Sequence, residues 1–154
     1  MNRQFLQQAV DIAVANVARG GGPFGAVVVK GSDVVGAGGN RVTVDFDPTA
    51  HAEVVAIRAA CKHLGSHQLD GCDVYCSCEP CPMCLGAIYW ARPRAVYFCA
   101  TQHDAADAGF DDHFIYQELA LPPQDRKLIT THINLPDRVA PFQAWAAHQT
   151  KIRY

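Results

Sequence analysis

Charge is sparse in this chain. Thirteen Lys and Arg stand against fifteen Asp and Glu, a formal net charge of −2, and charged residues make up only 18% of 154 positions. No stretch gathers the basic side chains into a stripe able to neutralise several phosphates, which argues against a nucleic-acid polymer as partner. Long apolar runs are missing too. Residues 1–20 mix polar and apolar side chains at helical spacing without an unbroken apolar segment. They read as neither a signal peptide nor a membrane span, and the cytoplasm is the expected location. Glycine (12) and proline (9) fall well short of the roughly 25–30% that marks low-complexity chains, which excludes disorder and collagen-like structure. The seven cysteines are an odd number, so a fully paired disulfide framework is excluded and reduced thiols are expected.

What is present is one domain's worth of chain, 49% hydrophobic, able to bury roughly two-thirds of the surface it exposes when unfolded. Phe5, Leu6, Ala9, Val10, Ala13, Val14 and Val17 recur at helical spacing, predicting a helix over 3–18 that stops at Gly20-Gly21-Gly22-Pro23. Two β-branched runs, 26–30 and 34–40, flank Gly31-Ser32-Asp33 and read as a hairpin. Glycines 36, 38 and 39 suggest that something packs closely on the second strand. A second helix is expected from about residue 50, capped by Asp47 or Thr49 and ending near Gly65. A strand at 72–77, a helix opened by Pro80 and Pro82 and running through Trp90, and a strand at 95–100 follow. Alternating strands and helices predict an α/β fold with crossover connections and a sheet covered on both faces. The last third predicts short helices near 104–108 and 112–119, a strand near 128–134 and a helix from Pro141 to about Gln149.

Four cysteines, Cys76, Cys78, Cys81 and Cys84, crowd into nine residues. Cys81 and Cys84 place two thiols on one turn, and a distant His51 would complete three ligands of a tetrahedral zinc with a fourth position left for water. Both motifs fall at predicted helix starts, where exposed N–H groups and the helix dipole stabilise thiolate. Two thiolates and a neutral imidazole bring the formal charge of such a site to about zero, so water there is polarised weakly and needs a base. Glu53, two residues after His51, suits that task, a proton shuttle typically worth about 10²- to 10⁴-fold in rate. Taken singly, His51-Ala52-Glu53 fits a polar helix face, and the Cys pair fits a redox couple, half a structural zinc site or two buried small residues. Their occurrence together favours catalytic zinc. Ligation by Cys76 or Cys78 would close the fourth position and leave a zinc-stabilised interaction module without chemistry.

Gly22-Pro23-Phe24-Gly25-Ala26, Asp47-Pro48-Thr49-Ala50-His51-Ala52-Glu53, Cys78-Glu79-Pro80-Cys81-Pro82-Met83-Cys84 and Ala87-Ile88-Tyr89-Trp90-Ala91 resemble the cytidine deaminase superfamily. Residues 105–112, Phe142-Gln143-Ala144-Trp145 and the final Tyr154 extend the resemblance over nearly the whole chain, toward the branch that acts on guanine. His-x-Glu followed by Pro-Cys-x-x-Cys is the signature of zinc nucleobase deaminases. The resemblance implies a single three-layer α/β/α domain over 1–154 with a central mixed sheet. It implies one zinc held by His51, Cys81 and Cys84, Glu53 as proton shuttle, and conversion of guanine and water to xanthine and ammonia. It further implies base contacts from Phe24, Asn40 and Ala52, a second acidic group at Asp112, closure of the site by Tyr154, and a homodimer exchanging a C-terminal segment of about 136–154. Relatives often carry a hydroxyl residue where this chain has Cys76. Read by themselves, Phe24 fits plain core, Asn40 a turn and Asp112 a helix cap. Rival substrates are free cytosine, other aminopurines or aminotriazines, and adenosine in transfer RNA, the last disfavoured by the charge.

Overall fold

The computed structural model describes residues 2–110 and 112–154 and divides into two compact units, 1–113 and 114–154. Asp111, part of the 105–112 motif, lies outside the described residues. In the first unit, α1 (Arg3–Val17) is capped by the Asn2 side chain, which accepts from Gln4 N. The hairpin β1 (Gly25–Lys30) and β2 (Asp33–Gly39) follows, then a single helical turn, α2 (Val42–Asp45). The series continues with α3 (Ala52–Leu64), β3 (Cys72–Cys78), α4 (Pro82–Ala91), β4 (Ala95–Ala100) and α5 (Gln102–Asp107). Neither Asp47 nor Thr49 caps α3. Asp47 instead closes its own turn by accepting from Thr49 N and Oγ1 at 2.8 and 2.7 Å, and His51 stands at the cap position.

The four strands run in the order β2-β1-β3-β4, with β1 antiparallel to both β2 and β3, and β3 parallel to β4. Alternation along β1 sorts its side chains to two faces. Val27 and Val29 meet Tyr75, Phe5, Leu6 and Ile12 on the α1 side. Ala26 and Val28 join Val74, Cys76, Ala56, Ala60 and Ile88 on the side of α3 and α4. The result is the expected three-layer α/β/α arrangement with a mixed sheet. Arg94 closes the β3–α4–β4 crossover by donating to both carboxylate oxygens of Asp73 at 2.9 and 2.6 Å.

The glycines of β2 explain how closely α3 sits. A Cβ on Gly38 would lie 2.6 Å from Val55 Cγ1, and one on Gly36 would run into the Ala56 carbonyl and Ala60. Gly36→Ala should therefore lower stability by about 1–3 kcal/mol through overpacking. That loss outweighs the ~0.4–1 kcal/mol by which a stiffer unfolded chain favours alanine. Urea unfolding checks it, and a variant as stable as the parent would mean that α3 yields freely.

The second unit holds most of α6 (His113–Ala120) and all of α7 (Ala140–Ala147), which ends two residues before the expected Gln149. The strand expected near 128–134 is absent. Leu128 and Ile129 stand 77% and 90% exposed, and no other segment of this unit is extended into a strand to pair with them. Without a partner the ladder hydrogen bonds cannot form, whatever the β-propensity. Among the described residues no helix is long and apolar enough to cross a membrane.

Candidate metal centre and active site

Two helix starts build the centre. His51 precedes α3 in an extended conformation, and its side chain makes no capping hydrogen bond. Cys81 occupies the same position before α4, where Pro82, with no N–H to satisfy, fits the first turn. Cys84 follows within that turn, fully buried. The ligand-capable atoms of His51, Cys81 and Cys84 all lie within 4.8 Å of one another. His51 Nδ1 is 3.6 Å from Cys81 Sγ and 3.5 Å from Cys84 Sγ. A tetrahedral zinc with bonds of about 2.3 Å to sulfur and 2.0–2.1 Å to nitrogen requires sulfur–nitrogen separations of about 3.5–3.6 Å. The donor set fits zinc in both chemistry and spacing.

The protonation states are distributed to match. Cys81 is pulled down to about 4 by the hydrogen bond it receives from the Cys84 thiol, and His51 adds to the effect. Cys84 is pushed up by the same bond and by burial, so without metal it keeps the proton. His51 is raised, chiefly by its hydrogen bond with Cys81. Glu53, 8% exposed in the first turn of α3, accepts from Cys84 Sγ at 3.4 Å, and burial raises its pKa. A buried carboxyl held above its ordinary range is suited to carry a proton in both directions.

These groups face a cavity of about 290 Å³ lined by Phe24, Asn40, His51, Glu53, Cys81 and Asp112 among others. That volume is at the lower limit of small-molecule sites, about 300–1,000 Å³, and suits a single heterocycle. Phe24 meets Phe110 edge to face, with centroids 5.0 Å apart and planes at 84°. Asn40 is held from both sides. Its backbone N–H donates to Phe24 O at 3.0 Å, its side-chain oxygen accepts from Val42 N at 3.2 Å, and its carbonyl accepts from Asn16 Nδ2 at 2.7 Å. The same Asn16 amide reaches Gly22 O at 2.8 Å, so one side chain of α1 fixes both walls. Asp112 lines the cavity and immediately precedes α6. Ala52 is buried at the start of α3, while Tyr154 lies in the second unit with its ring 6.5 Å from that of Trp145.

Cys76 and Cys78 fall outside the three-residue cluster. Cys76 belongs to the core beneath α3, and Cys78 donates to Thr101 O at 3.4 Å. The apolar sequence around Cys72 and Cys99 predicts burial of both; Cys72 is buried, whereas Cys99 is exposed on β4 and donates to Ser77 O at 3.0 Å. Glu79, Gln102, Val42 and Thr43 also line the cavity and escaped the sequence reading. The signal for Glu79 and Gln102 was topological, since both lie just beyond the carboxyl ends of the parallel strands β3 and β4, where α/β sheets place ligands.

The fold and this centre define a nucleobase-deaminase type of scaffold, and the chain belongs to the cytidine and deoxycytidylate deaminase family, whose zinc-binding region matches residues 1–100. A guanine deaminase from Bacillus subtilis (strain 168) is 54% identical over 156 residues, covering 100% of both chains. The X-ray structure of guanine deaminase from Bacillus subtilis is similar with a TM-score of 0.98 at 54% identity, covering 100% of this chain and 99% of that one. A tRNA-specific adenosine deaminase from Aquifex aeolicus is 40% identical over 62% of this chain and 64% of its own. A guanine deaminase structure from Nitrosomonas europaea has a TM-score of 0.67 at 32% identity, covering 79% of this chain and 66% of that one.

Proposed function

We propose that the protein deaminates guanine hydrolytically, converting guanine and water to xanthine and ammonia. The observation that carries the reading is the juxtaposition of a His-Cys-Cys donor set at zinc spacing with the buried Glu53, at the wall of a cavity sized for one heterocycle. The full-length similarity to a guanine deaminase supports the choice of base. His51, Cys81 and Cys84 hold one zinc ion. When bound, zinc supplies Lewis acidity that makes water a better nucleophile at neutral pH.

Glu53 takes a proton from the attacking water and delivers it to the ring nitrogen beside C2. Asp112 then assists proton transfer to the departing amine. Phe24 lies against the flat base and Asn40 offers both donor and acceptor atoms, while Ala52, between His51 and Glu53, belongs to the core cluster and not to the cavity lining. The carboxylates of Glu53, Glu79 and Asp112 on one wall system suit a base that presents N–H groups, as guanine does.

A panel of guanine, cytosine, adenine, aminotriazines and a transfer-RNA anticodon stem-loop, read by ammonia release, tests the reading. Guanine should be turned over fastest by a wide margin, and preference for any other substrate would replace it. In the same assay Asp112→Asn should slow guanine without altering zinc content or melting temperature, and unchanged kcat/KM would reduce Asp112 to a helix cap.

The two units form one deaminase domain over 1–154 that works as a homodimer exchanging about 136–154, with Tyr154 closing the site. Support comes from large apolar side chains left exposed within each unit, Tyr89 and Trp90 on α4 at 75% and 65% in the first and Phe142 and Ile152 at 72% and 70% in the second. Removing residues 150–154 should abolish guanine turnover, and intact turnover would discard the closure. Light scattering decides the oligomeric state. Seven cysteines without a disulfide are in keeping with a cytoplasmic enzyme.

A further inference from the structure

Asn16 lies in the last turn of α1, a place where its short amide competes with the helix for backbone partners. Here the amide leaves its own helix. Both of its hydrogens are used, since Nδ2 donates to Gly22 O at 2.8 Å and to Asn40 O at 2.7 Å, and the Asn16 carbonyl accepts from Gly21 N at 3.1 Å. Gly22, Phe24 and Asn40 line the cavity, whereas Asn16 does not. The segments carrying those residues are joined to each other by Asn40 N donating to Phe24 O at 3.0 Å and by Thr43 Oγ1 donating to Gly20 O at 3.0 Å. Asn16 ties the pair to α1.

The space around the amide is shaped for it. A Cβ on Gly21 would run into Asn16 Nδ2, and one on Gly39 would lie 2.6 Å from Asn16 Cγ and Oδ1. Neither glycine has a left-handed φ, so a side chain at either position would disturb the amide and not the backbone. Among uncharged side chains, only a primary amide puts two donors on one atom. Two carbonyls converging on one nitrogen require that. Without it the Asn40 carbonyl, in a residue only 8% exposed, loses a donor that desolvation makes costly to replace.

The metal donors and Glu53 stand at the starts of α3 and α4, on elements that the Asn16 amide does not bond. We propose that Asn16 is a positioning residue that, from outside the cavity, holds Phe24 and Asn40 in place to receive the base. The inference rests on the guanine reading above for its substrate. Because Asn16 acts on the wall that binds and not on the groups that move protons, its loss falls on KM before kcat.

Steady-state kinetics of the zinc-loaded full-length protein on guanine tests this with Asn16→Ala, which deletes the amide, and Gly39→Ala, which crowds it from the other side. Each should raise KM about 10- to 100-fold with zinc content unchanged and kcat within about threefold of wild type, the pattern of lost ground-state binding. Asn16→Asp, of the same shape but without donors when ionised, should behave like Asn16→Ala. In the double variant the new Cβ meets no amide, so KM should be no higher than in Asn16→Ala alone, a non-additivity that damage at two independent sites would not produce. A lowered melting temperature with KM unchanged would make Asn16 a stability residue and overturn the proposal. So would a fall in kcat at constant KM, wild-type KM in Asn16→Asp, or additive effects in the double variant. Should one single variant fail to fold, the other two still decide. If wild type leaves guanine untouched but deaminates another base of the panel, the guanine reading falls and the same comparison is made on that base; turnover of no base would remove both.

Discussion

Glu53→Gln is expected to leave the fold and the metal content intact while guanine turnover falls about 10²- to 10⁴-fold, the usual worth of a positioned proton shuttle. The substitution keeps the side chain's length and an oxygen able to accept from Cys84, which now reaches Glu53 Oε2 at 3.4 Å. It removes the ability to take up a proton and hand it on. Because Glu53 is only 8% exposed, solvent cannot easily substitute for it, so rescue by buffer bases should be small. Steady-state kinetics together with zinc analysis separates the outcomes. Near-native kcat with full metal would eliminate the shuttle, whereas loss of metal along with activity would make Glu53 a support for the donor set.

The parts of the fold that could be read from sequence are those where local chemistry and tertiary packing agree. The N-terminal helix, the hairpin around Gly31 and the β3–α4–β4 crossover lie within a residue or two of where periodicity put them. The close approach on β2 was legible because glycine alone leaves room for the α3 backbone over Gly36 and Gly38. The metal cluster was legible because its ligands sit at helix starts, where spacing and proline fix geometry locally. The cap of α3 was misread. Asp47 and Thr49 satisfy each other in a turn, and the other Asp47 oxygen faces Arg58 at 3.7 Å, in the body of α3 and not at its start. The strand expected at 128–134 failed for a different reason: Ile129, Ile133 and Leu135 have the pattern of a strand, but pairing depends on a neighbour that no local signal reports. Gln102 was invisible because a lone glutamine carries no spacing signature, and only the parallel register of β3 and β4 brings it to the cavity.

Cys84→Ala should abolish both zinc retention after dialysis and all measurable guanine turnover, a larger effect than loss of the shuttle. With only His51 and Cys81 left, the donor set cannot hold zinc tightly enough to survive dialysis. Protonation adds a pH signature that a structural role for Cys84 would not produce. In the metal-free protein Cys84 holds its proton and His51 is raised, while both must be unprotonated to bind metal. Zinc loading therefore releases protons. Apparent affinity should fall as pH drops, by about tenfold per pH unit for each proton released, and Cys81, held down to about 4 as a thiolate, contributes none of this near neutrality. Competition with a chromophoric chelator between pH 6 and 8 measures the slope in wild type. A flat profile would show the donor set already deprotonated, and zinc retained by Cys84→Ala would show that another group supplies the third ligand.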